Sequence, residues 1–210
     1  MKLSNIHSSK ILAKELLIFD FDGTIIDSSP IHSRAYNLAL SDYGFQINYH
    51  ELKGLSTRDS LLKIFQENNK EMSENLLLKL TTLKQAYAQN FFQESITTIN
   101  GFTECFKLLS NKKLCIASSA SKNSIKTGLK MISLDRAFDL VLSNESIENA
   151  KPNPEIFLKA LDFFDVSSED ALIFEDSIAG FNAAHKANID YIDINEFTWT
   201  QLAEIFKKTI

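Results

Sequence analysis

Two aspartates separated by one residue, in Asp20-Phe21-Asp22-Gly23-Thr24, form the first group in the chain with an evident chemical use. Alternate side chains of an extended segment share a face, so both carboxylates point the same way, and Gly23 permits a sharp turn behind them. Such a pair can hold a hard, oxygen-seeking cation such as Mg²⁺, or divide into a nucleophile and a general acid/base. An acidic turn after a strand is also common without any chemistry, so the motif needs partners.

Three later segments supply them. Ser118-Ser119-Ala120-Ser121-Lys122-Asn123 is a hydroxyl cluster entering a helix, where hydroxyls and free backbone amides make an anion site; simple capping by Ser121 is the plainer reading. Lys151-Pro152-Asn153-Pro154 fixes one cation in a stiff turn before a helix beginning near Pro154. Glu175-Asp176 places adjacent carboxylates at the end of an apolar run, where they repel one another unless a cation or hydrogen bonds relieve them.

These groups are useful together only if strand ends collect them. Leu16-Leu17-Ile18-Phe19 is a short apolar run that stops at Asp20, the pattern of a buried strand in a parallel sheet. Similar runs recur at Leu114–Ala117, Asp139–Leu142, Ala171–Phe174 and Ile189–Ile192. Helical patterns separate them, at Phe102–Leu109, Asn123–Ile132, Glu155–Phe164 and Ile178–Lys186. Strand and helix in alternation predict an α/β fold: a Rossmann-like open, mainly parallel sheet with helices on both faces, whose ligands bind beyond the carboxyl ends of the strands. All four chemical segments fall there. They combine a nucleophile, an acid/base, a hydroxyl, a cation and metal-binding acids, the parts that phosphoryl transfer requires.

Between Ile31 and Ser95 the alternation breaks. Leu61-Leu62, Ile64-Phe65, Leu76-Leu77-Leu78 and Leu80 have the spacing of amphipathic helices, and no strand pattern appears. The expected organisation is a core of residues 1–29 and 98–210 with a helical cap, 30–97, inserted after the first strand and placed to act as a lid.

The composition narrows the function classes. A net charge of −5 and a pI near 5.4 argue against broad electrostatic binding of nucleic acid. No stretch approaches a membrane span. Cys105 and Cys115 are too few for a disulfide framework, and residues 1–14 lack an apolar core with a cleavage site, so a cytoplasmic, reducing location is expected.

The order and type of the four motifs resemble the haloacid dehalogenase-like hydrolase superfamily, from about Leu16 to the final helix. The likeness is to its β-phosphoglucomutase and small phosphatase group with a helical cap. Leu52-Lys53-Gly54-Leu55-Ser56-Thr57-Arg58-Asp59-Ser60-Leu61 is similar to that group's substrate-facing cap loop. The resemblance implies that Asp20 takes the phosphoryl group as an aspartyl phosphate, and that Asp22 is the general acid/base. It implies a Mg²⁺ cofactor held by the Asp20 carboxylate, the Asp22 carbonyl and the Asp176 carboxylate, with Glu175 assisting through a metal-bound water. Lys151 then balances Asp20 and the phosphoryl oxygens. The phosphate-binding hydroxyl is Ser118 by counting from the strand and Ser119 by likeness to the mutase loop, with Asn123 as a further polar contact. In the cap, His32 matches a histidine near the hinge of mutase-like proteins, Lys53 and Gly54 belong to the substrate-facing loop, and Arg58 is a candidate grip on a distal phosphate or carboxylate.

Motifs and resemblance together imply a Mg²⁺-dependent phosphatase of small phosphorylated metabolites, with a phosphosugar mutase as the rival and a non-catalytic phosphate-binding module behind both. Thr24 favours the phosphatase, since the first motif of the mutases more often resembles Gly-Val. Thr57 stands where the mutases carry Arg, with the basic residue displaced to Arg58. The expected partner is a small metabolite, with no nucleic acid or membrane, and the expected state is a monomer or weak oligomer.

Overall fold

The computed structural model describes residues 8–52, 55–92, 94 and 96–207. Helix α1 (Ser8–Ala13) leads into strand β1 (Leu16–Phe19), whose four side chains are fully buried. The helices α2 (Ser29–Ala39), α3 (Thr57–Glu67) and α4 (Glu74–Phe92) follow. The alternating part then runs α5 (Phe102–Phe106), β2 (Lys113–Ala117), α6 (Lys122–Met131), β3 (Leu140–Leu142), α7 (Glu155–Phe164), β4 (Ala171–Glu175), α8 (Ile178–Lys186), β5 (Asp190–Asp193) and α9 (Trp199–Phe206). The chain divides into two compact units, one ending at Asp27 and resuming at Thr97, the other Ser28–Ile96.

The first unit is an α/β sheet of five parallel strands in the order β3-β2-β1-β4-β5. β1 is central because it is apolar on both faces, and burying it on both sides is what such a run requires. Leu16 and Ile18 pack with Cys115, Ile156, Phe157 and Ile173 in one core. Phe19 belongs to an aromatic group, stacked on Phe174 at 4.9 Å with Phe102 and Trp199 around it. Each such ring contributes about 1.5–3 kcal/mol by leaving water. The Trp199 indole N–H donates to the Thr24 carbonyl at 2.8 Å, which ties the turn after β1 to α9.

The register positions the site. Phe19 lies opposite Ile116 on β2 and Phe174 on β4, so the residues one step further, Asp20, Ala117 and Glu175, stand level at the carboxyl edge.

The strands lie within a residue of their expected ends, because short apolar runs bounded by polar residues are a local signal. Helix α5 stops at Phe106 where the apolar spacing predicts helix to Leu109. Leu108 and Leu109 bond back three residues, to Cys105 and Phe106, so the tail tightens into turns that still bury Leu109. Helix α1 falls in a segment whose pattern predicts no element. Lys14 just after it is buried and donates to Asp190 at 2.8 Å.

The second unit is helical, and among its described residues no strand occurs. Tyr36, Leu40, Leu61, Ile64, Phe65, Leu77 and Leu80 form its core. Among the described residues of the whole chain, no helix is long and apolar enough to cross a membrane.

Candidate active site

Asp20 follows directly on β1, and its amide donates to the Phe174 carbonyl at 2.9 Å, prolonging the ladder by one residue. Gly23 then turns the chain with φ +84°, in the left-handed region that glycine tolerates. A Cβ there would also lie 2.1 Å from Asp176 Oδ2, so the absent side chain is the space the Asp176 carboxylate fills.

The Lys151 ammonium arrives from the loop before α7. It donates to Asp20 Oδ1 at 2.7 Å, Glu175 Oε2 at 2.8 Å and the Ala117 carbonyl at 2.9 Å. The three side chains are 3 %, 9 % and 1 % exposed for Lys151, Asp20 and Glu175, so this is a buried charge group and each member depends on the others. Burial disfavours the Lys151 charge, but Asp20 and Glu175 outweigh it and hold the ammonium above its ordinary range. Asp20 is pushed well above the usual carboxylate range, by burial first and then by Glu175, with Lys151 pulling the other way and Asp176 adding to the rise.

Glu175 is anchored at its other oxygen. Oε1 accepts from the Ser177 hydroxyl at 2.8 Å and from the Asp176 and Ser177 amides at 3.2 Å. Ser177 also caps α8, accepting from the Gly180 amide at 3.1 Å. Gly180 leaves room for this arrangement, since a Cβ on it would lie 2.0 Å from the Glu175 carboxyl carbon.

The oxygens of Asp20, Glu175 and Asp176 lie within 4.8 Å of one another. An all-oxygen, anionic donor set of this size suits a hard divalent cation, and the crowded charges give it a reason to bind. The Asp22 carboxylate is outside that cluster. Asp22 sits three residues past β1, bridged to Ile26 at the turn.

Of the two serines, Ser118 is buried and its hydroxyl accepts the Ala120 amide at 3.1 Å, whereas Ser119 is exposed at the carboxyl edge. Asn123 is exposed in the first turn of α6. Two amides of that turn, those of Lys122 and Ser124, are bonded within the protein. Ser121 caps the helix through the Ser124 amide, and the Glu145 carboxylate, held by Ser143, accepts the Lys122 amide at 2.8 Å. A carboxylate from the loop after β3 supplies the negative charge that the helix end favours.

The loop bearing Lys151 has its own clamp. Glu155, at the start of α7, accepts from the Glu148 amide and from the Asn149 amide and side chain, which with Lys159 lowers the pKa of its carboxyl to about 2.

In the helical unit, Arg58 is exposed at the start of α3 and paired bidentately with Glu74 at 2.8 and 3.2 Å. His32 on α2 has Nδ1 3.2 Å from the ammonium of Lys84, a buried lysine that also lies over the Tyr36 ring. A lysine inside a helical pattern reads as solvated, and nothing local marks Lys84 as buried. Lys53 and Gly54 lie outside the described residues.

A family model described as haloacid dehalogenase-like hydrolase matches residues 17–194, from within β1 to just past β5. The chain belongs to the haloacid dehalogenase-like hydrolase family. Among its relatives in that family is a phosphorylated carbohydrates phosphatase of Thermotoga maritima, 28% identical over 184 residues, 85% of this chain and 83% of the relative. A fructose-1-phosphate phosphatase of Escherichia coli is 26% identical over 182 residues, 85% of this chain and 95% of that one. Among solved structures, a β-phosphoglucomutase of Clostridium difficile superposes with a TM-score of 0.75 at 25% identity, covering 93% of this chain and 98% of its own. The resemblance carried by the four motifs is therefore one of descent, and the fold is the family's α/β sheet with a helical insertion.

Proposed function

We propose that the chain is a phosphatase of small phosphomonoesters, sugar phosphates foremost, that works through phosphorylated Asp20. The observation that carries this reading is the buried Lys151 ammonium 2.7 Å from Asp20 Oδ1, beside carboxylates able to hold a cation. Lys151 favours the ionised form of Asp20 against burial and Glu175, a cation held beside it would do so further, and the ionised form is the one that can attack a phosphate.

In the first step an Asp20 oxygen bonds to phosphorus while the bond from phosphorus to the substrate oxygen breaks, and Asp22 protonates the departing alkoxide. In the second, Asp22 takes a proton from water, whose oxygen displaces Asp20 and frees inorganic phosphate. Lys151 balances charge on the transferred oxygens, and Glu175 holds Lys151 in line. Ser119 is the hydroxyl we assign to the phosphate, since it is exposed where Ser118 is buried in its turn. The Asp20 and Asp176 carboxylates and the Asp22 carbonyl are the groups we assign to hold Mg²⁺, which would supply positive charge against the negative charge developing on the transferred oxygens. A cytoplasmic location fits two free, buried thiols, Cys105 pushed up to about 12 by burial.

A sugar phosphate is favoured because both phosphatases named above carry carbohydrate phosphates in their names. The mutase reading draws on the likeness to β-phosphoglucomutase, with Thr24 and the displaced Arg58 against it. One experiment separates them: para-nitrophenyl phosphate and a panel of phosphorylated sugars, glycolate and nucleotides are assayed with Mg²⁺, and β-glucose 1-phosphate is followed for both phosphate release and isomerisation. Phosphate release is expected. Isomerisation without release would make the chain a mutase, and no turnover on any compound would leave a binding module.

A further inference from the structure

Strand β4 ends at Glu175, so the Asp176 peptide lies just beyond the ladder. On the β5 side the pairing nevertheless continues. Glu175 is opposite Asp193, and the Ile194 amide donates to the Glu175 carbonyl at 3.0 Å. One residue on, a side chain takes over: Asn195 Nδ2 donates to the Asp176 carbonyl at 2.9 Å and to Asp193 Oδ1 at 3.1 Å. The same Asp193 oxygen accepts the Asn195 amide at 3.0 Å, and Asp193 is itself buried. Asn195 is thus a brace, fixed at its backbone and side chain by one carboxylate and reaching across to the peptide of the neighbouring strand's end.

We propose that Asn195 is a positioning residue for the cation site, holding Asp176 where its carboxylate serves Mg²⁺ in preference to Ca²⁺. This rests on the reading of Asp176 as a ligand. The Asp176 carboxylate shares a 4.8 Å space with those of Asp20 and Glu175, and their repulsion pushes it outward whenever no cation is present. Gly23 provides the space for the carboxylate, and the Asn195 amide restrains the peptide from which the side chain hangs. Mg²⁺ demands near-ideal octahedral geometry at short distances, and Ca²⁺ accepts longer and irregular ones. A ligand free to drift by a few tenths of an ångström therefore handicaps Mg²⁺ selectively.

The test is titration calorimetry of Mg²⁺ and of Ca²⁺ into the metal-stripped full chain without substrate. It compares wild type, Asn195→Ala, Asn195→Asp and Asp176→Asn. Losing one net hydrogen bond to the peptide is expected to weaken Mg²⁺ binding about fivefold in Asn195→Ala, and Ca²⁺ binding less than twofold. Asn195→Asp, isosteric but unable to donate, should match or exceed that loss. In turnover, the Mg²⁺ concentration for half-activity should rise while kcat at saturating Mg²⁺ stays near wild type. Unchanged Mg²⁺ affinity in both Asn195 variants, or equal weakening of the two ions, overturns the positioning role alone, provided Asp176→Asn binds poorly. Wild type that takes up no Mg²⁺, or Asp176→Asn with a wild-type isotherm, overturns the reading of Asp176 as a ligand and this inference with it.

Discussion

Lys151 Nζ donates to Asp20 Oδ1 across 2.7 Å, although the two residues lie 131 positions apart in the chain. The bond joins the loop before α7 to the end of the central strand, and it places positive charge against the group we assign as the nucleophile. Lys151→Ala should therefore lower kcat/KM by about 10²–10³-fold on every substrate alike, because it removes charge from the transferred group itself. A variant that discriminated between substrates would remove Lys151 from that role. The melting temperature should fall too, since Asp20 and Glu175 would remain buried without their cation.

The two aspartates of the first motif should fail differently. Asp20→Asn should abolish turnover, because an amide is a poor nucleophile. Asp22→Asn should leave Mg²⁺ and substrate binding largely intact and lower kcat by roughly 10²–10⁴-fold, through lost proton transfer. Kinetics of the pair check both statements, and appreciable activity in Asp20→Asn would end the covalent mechanism.

Exhaustive chelation should abolish activity, and Mg²⁺ should restore it where Ca²⁺ does not. Asp20, Glu175 and Asp176 converge where a dianion must bind, and they oppose it without a cation. Full activity in excess chelator is the result that contradicts this.

Gly180→Ala should damage the site from behind. The added carbon would meet the Glu175 carboxyl group at 2.0 Å, so Glu175 must shift and Lys151 with it. Overpacking of this kind costs about 1–3 kcal/mol of stability. Denaturant melts and kcat should both register the change, and a fully active, fully stable variant would show that Glu175 need not be held there.

Acid should weaken the anchor of α1. At Asp190 burial raises the pKa, but hydrogen bonds from Lys10 and Lys14 prevail and lower the carboxyl from 3.8 to about 2. A depressed carboxylate stabilises the fold above its unfolded value and loses that contribution as pH falls through the folded one. Asp190→Asn should thus lower the melting temperature at pH 5 to 8, with the gap from wild type closing as pH falls from about 4 toward 2. A gap constant over that range would show that the Asp190 charge is not what matters.

Much of this protein was determined by short stretches of sequence. Apolar runs of four or five residues ending in Asp20, Ser118 or Glu175-Asp176 specify buried strands with chemistry at their carboxyl ends, because burial on both faces and a polar stop are local properties. The helical insertion was legible for the same reason, from apolar residues at helical spacing. Other features waited for the tertiary structure. Ser118 and Ser119 are neighbours of one type, and only the packing at the end of β2 buries the first and exposes the second. Ser121 and Glu145, the latter 23 positions beyond Lys122, take up two amides of the helix end that the hydroxyl cluster marked. Lys84, Gly180 and Asn195 carry no local mark at all. Their surroundings are His32, Glu175 and Asp176, partners supplied by other segments of the chain, and a contact between distant segments exists only once the strand order and register have been set.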